Sequence, residues 1–380
     1  MRTEVTEISP VFRKSADAFA FFFEGQDLLS RRNVRAAIEH FDYAQRLGYA
    51  ATECAAARWN CWMLLGNFER AWQESDFISA AVPSDPNRYW DGRPWNGQRV
   101  MLRCLHGLGD TIQFIRYAPM LKQSYRSLTV QTHPQLVTLL EGVPAIDRVF
   151  TWGPGYAENV SEWDMQMEVT ELPLAFRTTL ATVPARTPYI HLPKERIEWG
   201  ANCFAASNRM RVGLTWEAGP WNPARCIKLD ELSPLLSCRG CSFYSLQKGA
   251  ALADVQGRAA VYDLEAQSAD IRDTAALILN MDLIVTVDTM TAHLAGALGH
   301  PVWILLPASA DWRWMLERSD TPWYPTARLF RQHVPGDWRG VIEELRTALA
   351  IEAQSRAPVQ AVACRRAISE YQPPLRTNSA

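Results

Sequence analysis

The chain has 380 residues, a formal net charge of −2 and a hydrophobic share of 48%, which point to a globular protein of two or three domains with a sizeable core. That charge gives no basic field for nucleic acid, and no Lys/Arg-rich tract is long enough to hold nucleic acid or an anionic membrane. The N-terminus, with Glu4, Glu7 and Lys14, lacks the apolar core of a signal peptide, and no stretch approaches the roughly 20 apolar residues that span a bilayer; the expected location is the cytoplasm, with peripheral work at the inner membrane left open.

Residues 16–83 read as helical throughout. RNVRAAIEHFDYA (32–44) aligns with GNFERAWQESDFI (66–78) at an offset of 34, matching Val34 with Phe68 and Ala37 with Ala71. A period of 34 is that of tetratricopeptide helix pairs, and Gly25, Phe41, Ala44 and Pro83 stand where such repeats carry Gly, an aromatic, Ala and Pro. A plain helical bundle is the alternative. Residues 1–85 are therefore read as a helical, tetratricopeptide-like segment, which either binds a partner or packs on the remainder of the chain. The linker AVPSDPNRYWDGRPWNGQ (81–98), with its prolines and glycines, cannot continue a helix.

Strands and helices then alternate. RVMLRCL (99–105), LTVQTH (128–133) and DRVFTW (147–152) read as strands, and DTIQFIRYAPMLKQ (110–123) as an amphipathic helix. A second series holds RVGLTW (211–216), SFYSLQ (242–247), AAVYDL (259–264), DLIVTVD (282–288) and PVWILLP (301–307), with helices at 272–281 and 291–299. This rhythm predicts an α/β fold of two Rossmann-like domains, at 86–205 and 206–350, facing a cleft. A polar tail, 351–380, closes the chain. Eight scattered cysteines read as reduced thiols. Cys238 and Cys241 have C-x-x-C spacing, but no second ligand pair follows for zinc, and the pair precedes a strand rather than opening a helix.

Four constellations carry chemistry. The turn HGLGDT (106–111) joins a strand to a helix but lacks the lysine of a Walker loop and the third glycine of a dinucleotide fingerprint. Asp110 either caps the helix, worth about 1 kcal/mol, or faces a substrate hydroxyl as general base. In VDTMTAHLAGALG (287–299) a buried strand ends at Asp288 and Thr289, and a helix starts near Met290 and Thr291. Its N-terminal N–H groups attract an anion, Thr289 and Thr291 offer hydroxyls, and His293 either donates to a phosphate or packs. The loop WEAGPWNPARCIKL (216–229) carries Arg225, a cation for a diphosphate or a solvated surface arginine. SLQKGA (245–250) places Lys248 and Gly249 at a strand end, where they either approach a nucleotide or form an ordinary turn. Trp312, Trp314 and Trp323 read as core around a long loop, with stacking on sugar or base as the alternative.

Together, GLGDTIQFIRYAPML (107–121), VGLTW (212–216), FYSLQKG (243–249), DTAALILNMDLIVTVDTMTAHLAGALGHPVW (273–303) and DWRWMLERSDTPWYPTARLFRQ (311–332) resemble glycosyltransferase family 9, the heptosyltransferases, and among them members with N-terminal tetratricopeptide repeats. The resemblance spans about residues 85–350. It implies a GT-B fold and an inverting, metal-independent sugar transfer with no cofactor beyond a nucleotide-diphosphate sugar as co-substrate. It assigns Asp110 as catalytic base, with Gly107, Gly109 and Thr111 in the acceptor-side turn. It places Arg225, Gln247, Lys248, Asp288, Thr289, Met290, Thr291 and His293 around the donor, with no metal ligand. Cleft closure is expected to bring donor and acceptor together. A donor-binding Glu that some heptosyltransferases carry after the QKG turn is replaced by Ala250 and Ala251, which leaves the sugar open. The acceptor is a glycan, a lipid-linked sugar such as a lipopolysaccharide core, or a protein held by the helical repeats. The alternative function is a non-catalytic interaction protein with a degenerate GT-B part.

Overall fold

The computed structural model describes residues 10–81, 97–122, 125–152, 162–219, 222–255, 260–264 and 267–355. Most of the linker 81–98, Pro83 included, and most of the tail 351–380 lie outside these residues. The chain opens with four helices, α1 (Pro10–Ser30), α2 (Val34–Arg46), α3 (Ala51–Leu64) and α4 (Phe68–Ala81). They pack consecutively, α1 on α2, α2 on α3 and α3 on α4. In α2 the residues Val34, Ala37, Ile38, Phe41 and Ala44 are buried, the i, i+3, i+4 stripe that drives an amphipathic helix onto its neighbours. A Cβ on Gly25 would fall 2.6 Å from the Phe41 ring, so glycine lets α1 meet α2 closely.

The α/β part adds α5 (Leu108–Phe114), α6 (Ala118–Leu121), α7 (Val137–Leu140), α8 (Leu172–Ala175), α9 (Lys194–Asn202), α10 (Ser233–Leu236), α11 (Ile271–Leu279), α12 (Met290–Ala297) and α13 (Arg339–Ser355). Its first sheet contains β1 (Arg99–Arg103), β2 (Ser127–Thr132), β3 (Arg148–Thr151) and β4 (Met165–Glu168) in the order β3-β2-β1-β4. The second contains β5 (Met210–Thr215), β6 (Cys241–Ser245), β7 (Val261–Asp263), β8 (Leu283–Val287), β9 (Val302–Leu306) and β10 (Ala327–Arg331) in the order β10-β9-β8-β5-β6-β7. Every pairing is parallel. β8 and β9 are buried along their whole length, as expected of strands covered on both faces. In each sheet the strand order runs outward from the first strand and then resumes on its other side. The crevices thus lie beyond β1 and β4 and beyond β5 and β8, where such sheets bind ligands. Two Rossmann-like sheets sharing a cleft make the GT-B arrangement.

Some elements differ from expectation. The helix expected over 110–123 is broken into α5, a 3₁₀ turn at Ile115–Tyr117 and α6, because Pro119 cannot donate a backbone hydrogen bond to the turn before it. β4 and β10 escape the hydrophobic pattern. In β4 the buried Gln166 satisfies its polar group by accepting from Arg103 Nε at 2.8 Å, and β10 is an edge strand with two buried residues. α9 falls inside the range 86–205 yet packs on α11 of the second unit. A Cβ on Gly200 would meet Ala276 O at 2.7 Å, Asn280 Nδ2 donates to Ile197 O at 2.9 Å, and Arg196 pairs with Asp273. No helix among the described residues is long and apolar enough to cross a membrane.

The helical segment is docked on the α/β part. Phe68 of α4, fully buried, lies against Trp312 and Trp323 with ring centroids 6.3 and 6.2 Å away. Phe114 of α5 reaches the same two rings at 6.4 and 5.8 Å. Arg32 Nε and Nη2 donate to Ala308 O and Ala310 O at 3.1 and 2.8 Å, and Leu316 N donates to Leu64 O at 3.1 Å. Phe68→Ala is expected to cost about 3–5 kcal/mol, read as a lower denaturation midpoint, with faster amide exchange in both 51–81 and 308–326. Faster exchange confined to the helices would show that the loop after β9 stands without this joint.

Candidate functional site

The first wall of the cleft is the turn after β1. Gly107 is extended (φ −65°, ψ 159°), and its N–H donates to Asp110 Oδ2 at 3.0 Å, so Asp110 does cap α5. Gly109 presses α5 onto α12: a Cβ there would stand 2.6 Å from His293 Cδ2. The other oxygen of Asp110 is held from the opposite lobe. Arg313 Nη2 reaches Asp110 Oδ1 at 2.5 Å, Nη1 reaches Asp311 Oδ1 at 2.8 Å, and Nε donates to Gln113 Oε1 at 2.9 Å. The guanidinium also lies 5.2 and 4.8 Å from the ring centroids of Phe114 and Trp312. A 3₁₀ turn, Trp312–Trp314, presents it, followed by Met315 at a φ of 51°, the left-handed region that a side chain such as methionine rarely adopts.

The second wall starts where β8 ends. Thr289 is the N-cap of α12, its Oγ1 accepting from Thr291 N at 3.2 Å. Thr291 in turn accepts from Thr215 Oγ1 at 3.3 Å. Arg225 Nη1 donates to Asp288 O at 2.8 Å and lies 3.8 Å from Asp288 Oδ2. Gln247 braces the loop after β5: its Oε1 accepts from Trp216 N and Glu217 N, both at 3.0 Å, and its Nε2 donates to Lys248 O at 2.9 Å. Lys248 is exposed at the rim and Met290 is half-buried at the first position of α12. His293 is buried, with Nδ1 at 2.9 Å from Tyr324 Oη and its ring stacked on Trp314 at 5.5 Å.

Both walls line one cavity of about 1090 Å³, near the upper end of small-molecule sites. Gly107, Gly109, Asp110, Arg225, Gln247, Lys248, Asp288, Thr289, Met290, Thr291 and His293 all face it. Thr111 does not border the cavity; it is 1% exposed and turns into the core. Trp314 and Trp323 are core residues, whereas Trp312 is half-buried. Asp311 and Arg313 border the cavity too, although no sequence pattern assigned them a role; an Asp and an Arg set inside a tryptophan-rich run, DWRW, were the signal that could have found them. Cys238 and Cys241 are free thiols. Among the described residues no group of three or more His, Cys, Asp or Glu side chains is placed to hold a metal ion.

Burial pushes the Asp288 carboxyl up to about 6; the nearby Asp311 charge adds to this, while Arg225 and Arg313 oppose it. Burial also pushes His293 well below its ordinary value, helped by Arg313, Arg116 and Arg225. It therefore stands in the wall as a neutral imidazole.

The sequence matches no protein-family model. It is similar to the protein FlbA of Caulobacter vibrioides, 26% identical over 381 residues that take in 91% of this chain and 63% of that protein, so the chain spans less than two thirds of that relative's length. Among solved structures it is similar to a glycosyl transferase family 9 protein of Veillonella parvula, at 12% identity and a TM-score of 0.49 over 70% of this chain and 98% of that one. It is also similar to the E. coli ADP-heptose lipopolysaccharide heptosyltransferase II, at 16% identity and a TM-score of 0.48 over 67% of this chain and 99% of that one.

Asp288 fixes the sign of a pH effect. With its native value raised from 3.8 to about 6, the folded chain keeps a proton that the unfolded chain has released. The contribution is complete below about pH 4 and is lost as pH rises through about 6, in total on the order of 3 kcal/mol. Asp288→Asn cannot titrate, so its stability relative to the unsubstituted protein should rise between pH 4 and 7 and then level off. Denaturation midpoints of the two proteins that run parallel across this range would contradict the burial argument.

Proposed function

We propose that the protein is a glycosyltransferase that moves a sugar from a nucleotide-diphosphate donor to a hydroxyl acceptor, with inversion at the anomeric carbon and without a metal cofactor. One observation carries the reading. The switch-point loops of two Rossmann-like sheets share one cavity, with the Asp110 carboxylate on one wall and the tip of α12 beside Arg225 on the other. The nucleotide belongs against the second sheet, beside the loop braced by Gln247 and near Lys248. Its diphosphate is received by the α12 N-terminus, whose dipole favours negative charge, and by Arg225.

In the reaction the acceptor hydroxyl gives its proton to Asp110. The oxygen's electron pair forms the new bond to the anomeric carbon. The bond from that carbon to the diphosphate oxygen breaks, and its electron pair leaves with the nucleoside diphosphate. Asp110 accepts from Gly107 N–H and Arg313, yet a carboxylate has about four lone-pair sites. A site therefore remains for the acceptor, with the carboxylate's orientation already fixed. Arg313 is a positioning residue for Asp110, and Arg225 is the cation nearest the helix tip, so the protein supplies the charge that a divalent ion supplies elsewhere. The family resemblance makes a heptose one candidate sugar; Ala250 and Ala251 keep the choice of sugar open.

The test is a panel of nucleoside diphosphates in a thermal-shift assay, followed by the matching nucleotide sugars with release of diphosphate as readout. A nucleoside diphosphate should raise the melting temperature of the unsubstituted protein and of Asp110→Asn alike. Turnover of Asp110→Asn should fall by about 10²–10⁴. Arg225→Met should weaken diphosphate binding by about tenfold or more, the worth of a charge-assisted hydrogen bond. Undiminished turnover in Asp110→Asn removes the carboxylate from its role. A failure of every nucleoside diphosphate to bind favours the non-catalytic interaction protein instead.

A further inference from the structure

A second cavity, of about 370 Å³, also borders Asp110, with no residue of α12 in its lining. Its lining comes from two sources. Trp59 and Trp72 belong to α3 and α4 of the helical segment, while Thr170, Pro173 and Trp312 belong to the α/β part. Asp110, Asp311 and Arg313 border both this cavity and the large one, so the two spaces meet at the carboxylate assigned to proton transfer. The smaller space has the chemistry of a sugar site: its lining combines indole rings with two carboxylates, a guanidinium and the exposed His106. Aromatic rings take the C–H face of a pyranose, and planar polar groups take its hydroxyls. The indoles are held in place. Trp59 meets Trp312 edge-to-face at 5.8 Å, and Trp72 Nε1 donates to Thr178 O at 2.7 Å.

Resting on the transferase reading above, the geometry points to this cavity as the acceptor subsite, taking one pyranose ring of the acceptor, with the helical segment supplying part of its floor. Donor and acceptor then sit in separate cavities that both border Asp110. The helices in this view are a structural half of the acceptor site, and the sugar ring, not a polypeptide backbone, is what Trp59 recognises.

The probe is a set of methyl pyranosides of gluco, galacto, manno and N-acetylglucosamine configuration, added to the full chain with a saturating nucleoside diphosphate. Saturation-transfer NMR should show at least one of them bound. Trp59→Ala should weaken that binding about tenfold while still binding the nucleoside diphosphate, which shows the donor cleft intact. Thr170→Trp, which fills the cavity without removing a packed ring, should abolish it and serves where Trp59→Ala does not fold. Pyranoside binding that both variants leave unchanged would overturn the assignment. So would the absence of any pyranoside signal beside binding of a Ser/Thr-containing peptide. If no nucleoside diphosphate binds, the transferase reading fails by itself, and pyranoside signals measured without nucleotide still decide whether Trp59 lines a sugar site.

Discussion

The structure turns on the guanidinium of Arg313. Its hydrogen bonds to Asp110 and Gln113 join the loop after β9 to α5, residues some 200 positions apart in the chain. Only about 14% of its side chain is exposed, and it lies against the rings of Phe114 and Trp312. A charge this deeply placed is tolerable only with its hydrogen bonds made. Asp110, Asp311 and Gln113 are therefore requirements for one another, and the orientation of Asp110 is a consequence of how the two lobes meet. Cap and substrate-facing group, the two readings open for Asp110 in the sequence, are compatible: one oxygen takes the Gly107 N–H and the other takes Arg313, which fixes the plane of the carboxylate at the cavity wall.

The helical segment bears on the site through the loop that presents Arg313. Arg32 binds the carbonyls of Ala308 and Ala310, and Leu64 O binds the Leu316 N–H. Between these anchors the loop makes its 3₁₀ turn and the strained step at Met315. Trp59 and Phe68 close over Trp312. The local strain is held by contacts spread over three layers, so the helices bear on the loop although, among the described residues, none of theirs lines the large cavity.

Much of this was legible in the sequence, and the reasons differ by element. β8 and β9 are runs that are apolar except at Thr286, bounded by Asp288 and Pro307, so strand, strand end and helix start could be placed from pattern alone. β4 could not, because its buried polar residue is satisfied by Arg103, a partner more than 60 positions away. Gly109 of HGLGDT marks a close approach, and the structure supplies what is approached: the buried ring of His293, which also borders the large cavity. Gln247 borders the cavity, and its side chain holds the backbone of Trp216 and Glu217. For Arg313 the run DWRW marks an unusual position but not what the guanidinium holds. Its role depends on the docking of two lobes and a helical layer, and no periodicity within one segment encodes that.

The same docking bears on how the cleft works. Arg116, buried, crosses the seam between lobes, giving hydrogen bonds to Trp323 O at 2.5 Å and Tyr189 Oη at 2.9 Å and lying 4.6 Å from the centroid of the Tyr324 ring. Among the described residues no carboxylate pairs with it, so carbonyl, hydroxyl and π faces carry its charge. Tyr324 in turn holds His293, against which Gly109 rests. Opening the lobes at this seam would expose Phe114 and Trp323 and strip Arg116 of its partners together, each a cost of kilocalories. The two lobes are therefore packed firmly together at this seam. Under the proposed reaction, the same packing sets the cavity walls around Asp110, and rigid positioning then contributes to the alignment of donor and acceptor.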